Sequence, residues 1–364
     1  MKIFYCITSL GPSGGTERVL TTKMNYFSSL PNYEVYAILR NGNDSPFFSL
    51  SKKVKLIDFK EPNKKRYIKK LRDLVYAIKP DIVVSAGTEF HELPKFKDGS
   101  KKIYEFHYTK NYIINFVRGV RHLKFRYLHL LKAWLFQKNM QYTTRKYDQV
   151  VVLTKRDMEL WGAPSNMRYI YDPLSFRSEQ SCNHKSKVIV CVGSLTPAKG
   201  IDKLIDAFGI IAHKFTDWTL KIYGEGQDQK LIETLIKKYK IEDQVVLTGY
   251  TKNIEDKIRE GSIYAFPSRS DGFGLVLTEA MECGLACVAF DCPCGPSEII
   301  EEGKTGYLVP FGDINCFASR LEMLINDEDL RKRMGEEGRK QVKRFYMENI
   351  APKWEALFSD LLSQ

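Results

Sequence analysis

Apolar segments of strand length alternate with longer segments of helical period along the whole chain. In the first half the apolar segments lie at 2–8, 33–39, 81–86, 101–106 and 149–153, and in the second half at 188–192, 219–223, 244–248, 262–266 and 286–290. Strands that alternate with helices favour parallel sheets joined by crossover helices. The pattern therefore predicts an α/β protein with two doubly wound domains, in which ligands bind beyond the carboxyl ends of the strands.

The pattern restarts after a polar segment at 175–187, which has the composition of an interdomain linker. A chain of 364 residues is also longer than one typical domain core supports. We therefore predict an N-terminal domain at 1–175 and a C-terminal domain at 176–364 that face each other across a cleft. The last helix, at 349–364, is expected to pack back on the N-terminal domain.

The segment 267–279, with the sequence PSRSDGFGLVLTE, carries the strongest chemical signal. An apolar strand precedes it and an apolar, alanine-containing helix follows it, so a loop leads directly into a helix start. The amides of a helix start, here around Phe273, Gly274 and Leu275, suit a phosphate group. Gly272 and Gly274 have no side chain that would block the approach of a ligand.

Two carboxylates flank this loop. Asp271 lies at its mouth, and Glu279 lies about one helical turn further in. With the amides they suggest a nucleotide sugar, whose diphosphate binds the amides and whose ribose and hexose hydroxyls bind the carboxylates. The alternative is an ordinary strand-to-helix connection, with Asp271 as a solvated cap and Glu279 on an exposed face.

Glycine-rich loops follow the first strand of each half. The loop 11–18 contains Gly14 and Gly15 and opens into a helix, but it lacks the dinucleotide and Walker A fingerprints, and a plain tight turn would explain it equally. The loop 193–200 contains Lys199 and also leads into a helical segment. A lysine there, across from Asp271, would neutralise a leaving diphosphate without a metal; the alternative is a solvated surface lysine.

The formal charge of +12 is concentrated in one stretch of the chain. Residues 60–146 include 21 basic and 7 acidic residues, a net charge of +14, and the segment 111–139 mixes Lys and Arg with Leu, Phe, Tyr and Trp. This composition is typical of a helix on an anionic membrane surface. Alternatively, its apolar residues pack into the domain, among them Leu123, Tyr127, Leu131 and Trp134. No nucleic-acid-binding module accompanies the charge, so we predict no nucleic-acid partner.

The cysteine pattern indicates free thiols. Of the eight cysteines, Cys292 and Cys294 form the one close pair, and no second pair or histidine completes a zinc spacing. No metal site is predicted. No apolar run approaches the roughly 20 residues that a membrane span needs, and no signal-peptide cleavage site follows the first strand. We therefore expect a cytoplasmic protein.

Five motifs in the second half resemble, in order and spacing, the donor half of glycosyltransferase family 4. They read VGSLTPAKGIDKLIDAF, YGEGQDQKLIETL, VVLTGYTKNI, PSRSDGFGLVLTEAMECGLACVAFDCPCGPSEII and GKTGYLVP. The first half matches more loosely, through GPSGGTERVL, the EFH at 105–107 and VVLTKRD. Members of this family have the two-Rossmann GT-B fold. They transfer sugar from a nucleoside diphosphate with retention of configuration and without a bound metal, so the resemblance implies no cofactor.

The resemblance also implies roles for individual residues. Catalytic roles fall to Asp271, His107 and Lys199. Donor-binding roles fall to Gly14, Gly15, Ser194, Lys199, Gly249, Tyr250, Asp271, Gly272, Phe273, Gly274, Leu275 and Glu279. In the family pattern Glu279 binds the ribose, Asp271 binds the donor sugar, and His107 lies near the sugar and the acceptor. The backbone at Gly249 and Tyr250 would flank the base.

Three positions depart from the family pattern. Asp271 stands where Glu is usual and is one methylene shorter. Ser194 stands where Arg is usual, so the diphosphate has one fewer cation. The segment 171–173, Tyr-Asp-Pro, replaces the usual Asn-Pro near the hinge. The first two departures leave room for altered donor choice or weak activity.

Together these features predict a retaining glycosyltransferase that uses a UDP-sugar in preference to a GDP-sugar. The expected acceptor is a glycan or a polyprenyl-diphosphate-linked sugar, in bacterial capsule, O-antigen or exopolysaccharide synthesis. The stretch 60–146 would attach the protein peripherally to the inner face of the cell membrane. The alternative, suggested by Ser194 and Asp271, is a non-catalytic sugar-nucleotide-binding or membrane-docking subunit.

Overall fold

Two all-parallel sheets form the framework of the protein. The computed structural model describes residues 1–42, 45–87, 89–119 and 126–363. The strands of the first sheet are β1 (Lys2–Ile7), β2 (Glu34–Leu39), β3 (Lys55–Asp58), β4 (Ile82–Ser85), β5 (Lys101–Phe106), β6 (Gln149–Val152) and β7 (Met167–Tyr169). Those of the second are β8 (Val188–Val192), β9 (Thr219–Tyr223), β10 (Val245–Gly249), β11 (Ile263–Phe266), β12 (Ala286–Asp291) and β13 (Gly306–Pro310).

Helices connect the strands of both sheets. They are α1 (Gly15–Ser29), α2 (Lys64–Ile78), α3 (Tyr112–Gly119), α4 (Arg126–Thr144), α5 (Lys155–Trp161), α6 (Ile201–Ile211), α7 (Gln229–Tyr239), α8 (Ile254–Arg259), α9 (Leu275–Glu282), α10 (Pro296–Ile299), α11 (Ile314–Asn326), α12 (Glu328–Gln341) and α13 (Met347–Leu362). Among the described residues, no helix is both long enough and apolar enough to cross a membrane.

The chain divides into two compact units. The first comprises Met1–Lys110, Leu135–Ser175 and Phe345–Gln364, and the second comprises Asn111–Trp134 and Phe176–Arg344. In the first unit, Trp354, Leu357 and Phe358 of α13 are buried in the same apolar core as β1 and β2. In the second unit, α6 and α11 bury their apolar faces against the central strands.

Each sheet reverses its strand order once. The first sheet has the order β3-β2-β1-β4-β5-β6-β7, and the second has the order β10-β9-β8-β11-β12-β13. The chain therefore leaves β1 and β4, and likewise β8 and β11, toward opposite edges of the sheet. Loops that follow such a pair separate and leave a crevice at the carboxyl ends, which is where doubly wound sheets bind ligands.

The predicted fold class is confirmed. All ten predicted strands are present, with boundaries that differ by no more than one residue. Strands β3, β7 and β13, which lie at the sheet edges, were not predicted. Of these, β3 and β7 are short, with four and three residues. A short edge strand is paired on one side only, so its sequence need not carry the continuous apolar run of a buried parallel strand.

Gly200 allows the segments that follow β8 and β11 to come close together. It links a 3-10 turn (Pro197–Lys199) to α6 with a φ of +66°. A Cβ atom at this position would lie 2.1 Å from the carbonyl oxygen of Pro267, which follows β11. Any side chain at this position would therefore push the two loops apart.

We expect Gly200→Ala to lower the free energy of unfolding by about 3 kcal/mol, since it combines a left-handed backbone with a steric overlap. Gly303→Ala is the matched control. Gly303 has a φ of +76°, and a Cβ atom there would meet no other part of the protein within 4 Å, so only about 1 kcal/mol of backbone strain should appear. Urea unfolding measures both values, and equal losses would contradict the close approach.

Candidate functional site

The loops that follow β8 and β11 meet at the switch point of the second sheet. Lys199 ends the 3-10 turn after β8, and Asp271 lies in the loop after β11. The Nζ atom of Lys199 donates a hydrogen bond of 2.5 Å to Oδ2 of Asp271. These two residues were predicted to lie across from each other, and the structure brings them into direct contact. Within the same unit, α3 also contacts this turn.

A second ion pair holds the same two loops together. Arg269 donates to both carboxylate oxygens of Asp202 in α6, each at 2.7 Å, and to the carbonyl oxygen of Pro197 at 2.9 Å. Its backbone amide donates to the carbonyl oxygen of Ala198 at 2.8 Å. Asp202 is buried, so the pair is largely shielded from water. The two loops that carry Lys199 and Asp271 are thus held together by two ion pairs, Lys199–Asp271 and Arg269–Asp202.

The start of α9 is arranged as an anion site would require. Gly274 is the residue before the helix and has a φ of +100°. Because glycine has no side chain, it cannot cap the first amides of the helix, including that of Leu275. Helix starts carry a partial positive charge and unbonded N–H groups. Gly272 and Phe273 are buried beside them. The start of α9 therefore has no side-chain cap, and its N-cap residue Gly274 lies three residues after Asp271, the partner of Lys199.

The structure disfavours the ordinary-connection alternative for this segment. Asp271 pairs with Lys199, and α9 has no side-chain cap, so Asp271 is not the helix cap. Glu279 is fully buried, whereas the alternative required an exposed face. A buried carboxylate inside a helix beside an uncapped helix start is a costly arrangement that a plain turn does not need.

The turns after β8, β9 and β10 are joined through their backbones. The amide of Leu195 donates to the carbonyl oxygen of Glu225 at 2.9 Å, and the amide of Gly224 donates to that of Gly249 at 2.9 Å. The amide of Tyr250 donates to Oε1 of Glu225 at 3.2 Å. Gly249 and Tyr250, predicted beside the base, therefore lie at the same edge of the sheet as Lys199.

Ser194 also lies at this edge. Its side chain is exposed, and its Oγ atom is 3.3 Å from Oγ1 of Thr196. A serine hydroxyl contributes a hydrogen bond but no positive charge. Lys199 is therefore the cation that this loop contributes to the cluster with Asp271.

The Lys199 side chain keeps its positive charge in this setting. Burial acts to lower the pKa of its ammonium group, but the charge of Asp271 and the hydrogen bond to it outweigh burial, so the pKa is raised. Burial raises the pKa of the neighbouring Cys191 and Cys292 thiols to about 12. Both thiols are thus neutral at physiological pH, and Lys199 is a full cation.

His107 lies in the first unit, in a buried cluster at the carboxyl end of β5. Lys23 donates to both carboxylate oxygens of Glu105, at 2.7 and 2.6 Å. The Nε2 atom of His107 is 3.5 Å from Oε1 of Glu105, and its Nδ1 atom is 3.9 Å from Oδ1 of Asp172. The ammonium group of Lys23 also lies 3.4 Å from the ring centroid of Trp354. The cluster joins α1, β5 and α13.

The imidazole of His107 is neutral at physiological pH. Burial is the largest influence and lowers its pKa to about 4; the Glu105 charge opposes this and the Lys23 charge adds to it. Among the described residues neither ring nitrogen has a hydrogen-bond partner. A buried neutral imidazole of this kind is able to donate one hydrogen bond and accept another.

Glu105, His107 and Asp172 also have the composition of a cation site, because their ligand atoms lie within 4.8 Å of one another. However, both oxygens of Glu105 already bind the ammonium group of Lys23. A divalent cation at this carboxylate would be repelled by that charge at short range. The contacts therefore favour Lys23 over a metal as the partner of Glu105.

Gly14 and Gly15 also belong to the first unit, at the start of α1. Gly14 is the N-cap and contributes no side-chain cap, and Gly15 is the first helical residue. Glu17 lies in the first turn, where burial raises the pKa of its carboxyl group. The loop follows β1, at the switch point of the first sheet.

The residues that hold this arrangement together were not predicted from the sequence. Arg269 lies inside the motif that was singled out, but its partner Asp202 is 67 positions away. Lys23 and Glu105 are likewise 82 positions apart. The one available signal was Asp202 in the first turn of α6, between the apolar residues Ile201 and Leu204 and beside Lys203. A charge in such a position requires a partner, but the sequence does not say which one.

Comparisons with known proteins agree with this architecture. The family described as Glycosyl transferases group 1 matches residues 175–341. An uncharacterized glycosyltransferase of Haemophilus influenzae is 31% identical over 369 residues, which cover 98% of this chain and 99% of that protein. The amylovoran biosynthesis glycosyltransferase AmsD of Erwinia amylovora is 28% identical over 372 residues, which cover 97% and 98%.

A solved structure extends the likeness to the fold of the whole chain. HepE of Anabaena, in complex with UDP-glucose, aligns with a TM-score of 0.75 and 17% identity, over 99% of this chain and 100% of that one. At this identity the likeness concerns the fold alone.

The Arg269–Asp202 pair generates a prediction on stability. We expect Arg269→Ala to lower the free energy of unfolding by about 3 kcal/mol, because it leaves a buried carboxylate unpaired. The double variant with Asp202→Ala should lose no more than the single variant, since the two side chains act as one unit. The exposed Lys187–Asp217 pair is the control, and its removal should cost less than about 1 kcal/mol. Additive losses in urea unfolding would contradict the coupling.

The buried His107 generates a prediction on pH. Its pKa is about 4 in the folded protein against 6.5 ordinarily, so between these values the unfolded chain binds a proton that the folded protein does not. Protonation of this histidine therefore does not affect the free energy of unfolding above pH 6.5. As the pH falls from 6.5 toward 4, it lowers the free energy of unfolding. Between pH 7 and pH 5 the loss should be about 2 kcal/mol.

Urea unfolding of His107→Gln at both pH values checks this expectation. The variant should lack that part of the pH dependence, whereas the variant of the exposed His213, His213→Gln, should keep the wild-type dependence. An unchanged dependence in His107→Gln would show that other groups are responsible.

Proposed function

Because the chain belongs to the group 1 glycosyl transferases, we propose that it is a retaining enzyme that transfers a sugar from a nucleoside diphosphate to a glycan or polyprenyl-diphosphate-linked acceptor. The observation that carries the proposal is the Lys199–Asp271 ion pair beside the uncapped start of α9. A cation, open helix amides and a carboxylate are the groups that a sugar diphosphate needs, and they meet at a switch point.

The donor is proposed to bind along the carboxyl edge of the second sheet. Its diphosphate contacts Lys199 and the amides of Gly274 and Leu275. The ribose hydroxyls bind Glu279, and the base lies against the turn at 249–250. We favour a uridine nucleotide, and the HepE structure, solved with UDP-glucose on a similar fold, supports this choice.

Lys199 is proposed to stabilise the leaving group. The bond between the anomeric carbon and the phosphate oxygen breaks, and its electron pair stays on that oxygen, beside the ammonium group and the α9 amides. The acceptor oxygen bonds to the same face of the sugar, and its proton passes to the departing phosphate oxygen. This route retains the configuration and requires no metal.

Asp271 is proposed to position the donor sugar through its hydroxyl groups. A carboxylate that is already bound to Lys199 at 2.5 Å is a weakened nucleophile, so a covalent sugar intermediate on Asp271 is disfavoured. The neutral His107 would provide a hydrogen bond near the sugar and acceptor without adding a charge. These roles follow the family pattern, with Asp271 in place of the usual glutamate.

The cellular role is proposed from the relatives and the charge. AmsD is named for amylovoran biosynthesis, which supports a role in bacterial polysaccharide assembly. A lipid-linked acceptor would suit the net charge of +14 at 60–146, through which the protein would attach to the inner face of the membrane. The second candidate, a non-catalytic donor-binding subunit, rests on the departures at Ser194 and Asp271.

Donor binding tests the first part of the proposal. With EDTA present, UDP should raise the melting temperature more than GDP does, because a ligand that binds only the folded state stabilises it. Lys199→Ala should weaken UDP binding at least tenfold in calorimetry, since one charge-assisted contact is lost. Lys203→Ala, one turn further along α6, is the matched control and should bind UDP normally. A requirement for a divalent cation would contradict the metal-free site.

Asp271→Asn then separates an enzyme from a binding subunit. The variant should bind UDP at least as well as wild type, because Lys199 is released from its ion pair. Transfer, or slow hydrolysis of the donor, should fall about a hundredfold because the sugar is no longer positioned. If polysaccharide production in cells is unchanged with Asp271→Asn, the non-catalytic subunit is the better description.

A further inference from the structure

The outward face of α4 is apolar. Its buried face consists of Ala133, Met140, Thr143 and Thr144. At 100° per residue, Leu131 and Leu135 lie on the opposite side, and their exposed fractions are both 52%. Surface helices normally present polar groups to water at these positions. This helix therefore buries a small and partly polar face and exposes apolar residues on the opposite side.

The exposed apolar residues are concentrated on this one helix. Of the 17 large apolar side chains that are exposed among the described residues, seven lie between positions 127 and 142. They are Tyr127, Leu128, Leu131, Trp134, Leu135, Phe136 and Tyr142. Single exposed apolar residues are ordinary, but a contiguous group indicates an interaction surface. The expectation that Tyr127, Leu131 and Trp134 pack into the domain is wrong, and Leu123 lies outside the described residues.

The segment of the chain that contains this face is basic and has no acidic residue. From 106 to 147 the sequence has nine Lys and Arg residues and no Asp or Glu. Lys132 and Lys138 are exposed on α4, and the ammonium group of Lys146 lies 4.1 Å from the ring centroid of Tyr142. Long basic side chains beside apolar groups reach the headgroups of a bilayer while the apolar groups enter it.

We propose that this face, which we call the α4 outer face (Tyr127, Leu128, Leu131, Trp134, Leu135 and Tyr142), lies on an anionic lipid bilayer. The helix is parallel to the membrane, its leucines and Trp134 enter the boundary between headgroups and acyl chains, and Lys132 and Lys138 contact lipid phosphates. The inference deepens the proposed function and rests on it only for the lipid-linked acceptor.

A second copy of the chain is a poorer occupant. Two copies related by a twofold axis would bring the same face, and therefore the same positive charges, together. Like charges across an interface disfavour association, and no acidic residue between 106 and 147 compensates for them. An anionic bilayer satisfies both the apolar groups and the charge.

Vesicle flotation tests the proposal with the full chain and needs neither donor nor acceptor. Wild type should bind vesicles that contain phosphatidylglycerol much more tightly than pure phosphatidylcholine vesicles, and less tightly as salt is raised. Leu131→Gln with Leu135→Gln should weaken binding at least tenfold, because the inserted apolar surface is lost. Lys132→Gln and Lys138→Gln should each weaken it about fivefold.

Matched controls change equally exposed residues elsewhere. Ile210→Gln with Met323→Gln removes two exposed apolar residues from α6 and α11, and Lys237→Gln with Lys238→Gln removes two exposed charges from α7. These variants should bind vesicles as wild type does. All variants should keep the wild-type melting temperature and UDP response, which shows that folding and donor binding are intact.

Trp134 is an internal reporter of insertion. It is about half exposed, whereas Trp161, Trp218 and Trp354 are buried. Anionic vesicles should therefore shift the tryptophan emission to shorter wavelength, and Trp134→Phe should abolish the shift. A shift that persists in Trp134→Phe would contradict insertion of this helix.

Three other outcomes would overturn the proposal. Equal binding by wild type and the Leu131/Leu135 variant would indicate a general polyanion site. The absence of vesicle binding at low salt would reject a membrane surface. Dimers in light scattering that dissociate in the Leu131/Leu135 variant, without vesicle binding, would indicate a second copy. None of these results bears on UDP binding, so this proposal and the proposed function fail separately.

Discussion

The structure depends on the way a parallel sheet distributes its connections. Strands β8 and β11 are neighbours, but the chain leaves them toward opposite edges of the sheet. Because the loops after these two strands lead away from each other, no crossover connection covers the space between them. A crevice therefore remains at the carboxyl edge of the sheet. The starts of α6 and α9 point toward that crevice with their amides. A ligand site at this position is a consequence of topology before any side chain is considered.

Side-chain chemistry then determines what the crevice is able to bind. Arg269 and Asp202 hold the two loops in one geometry, and Gly200 permits the loops to approach. Lys199 and Asp271 compensate each other's charge. In the proposed function, Lys199 contacts the diphosphate of the donor and Asp271 contacts the hydroxyl groups of its sugar. The ion pair fixes the two charged groups relative to each other, and in the proposed reaction this would be the pre-organisation that group transfer requires.

In the first unit, the main ion pair is fully buried instead of lying at the edge of a crevice. Lys23 donates to both carboxylate oxygens of Glu105 inside the core, and His107 beside them stays neutral because burial lowers its pKa. The second unit thus holds the Lys199–Asp271 ion pair at the edge of a crevice, where a ligand would be able to contact it. The other holds a fully buried ion pair whose ammonium group lies against the ring of Trp354. The α4 outer face adds a third kind of surface, on which apolar and basic groups are both exposed to water.

Local sequence patterns determined the secondary structure and the chemistry of the main motif. Buried parallel strands need continuous apolar residues, so ten strands were visible in the sequence, and a glycine-rich loop before a helix identified the α9 start. Short edge strands such as β3 and β7 lack that requirement and were missed. The membrane-like composition of 111–139 was also visible, but two interpretations of its apolar residues remained open.

Only the tertiary structure decided which residues act together. The pairs Arg269–Asp202 and Lys23–Glu105 join positions that are 67 and 82 residues apart, and nothing local distinguishes these charges from solvated ones. The burial of Glu279 and the exposure of Leu131 were decided in the same way. Residue type and spacing determine what a side chain can do and which local element it joins. Burial and long-range partners depend on how distant segments pack, and that information is distributed over the whole chain.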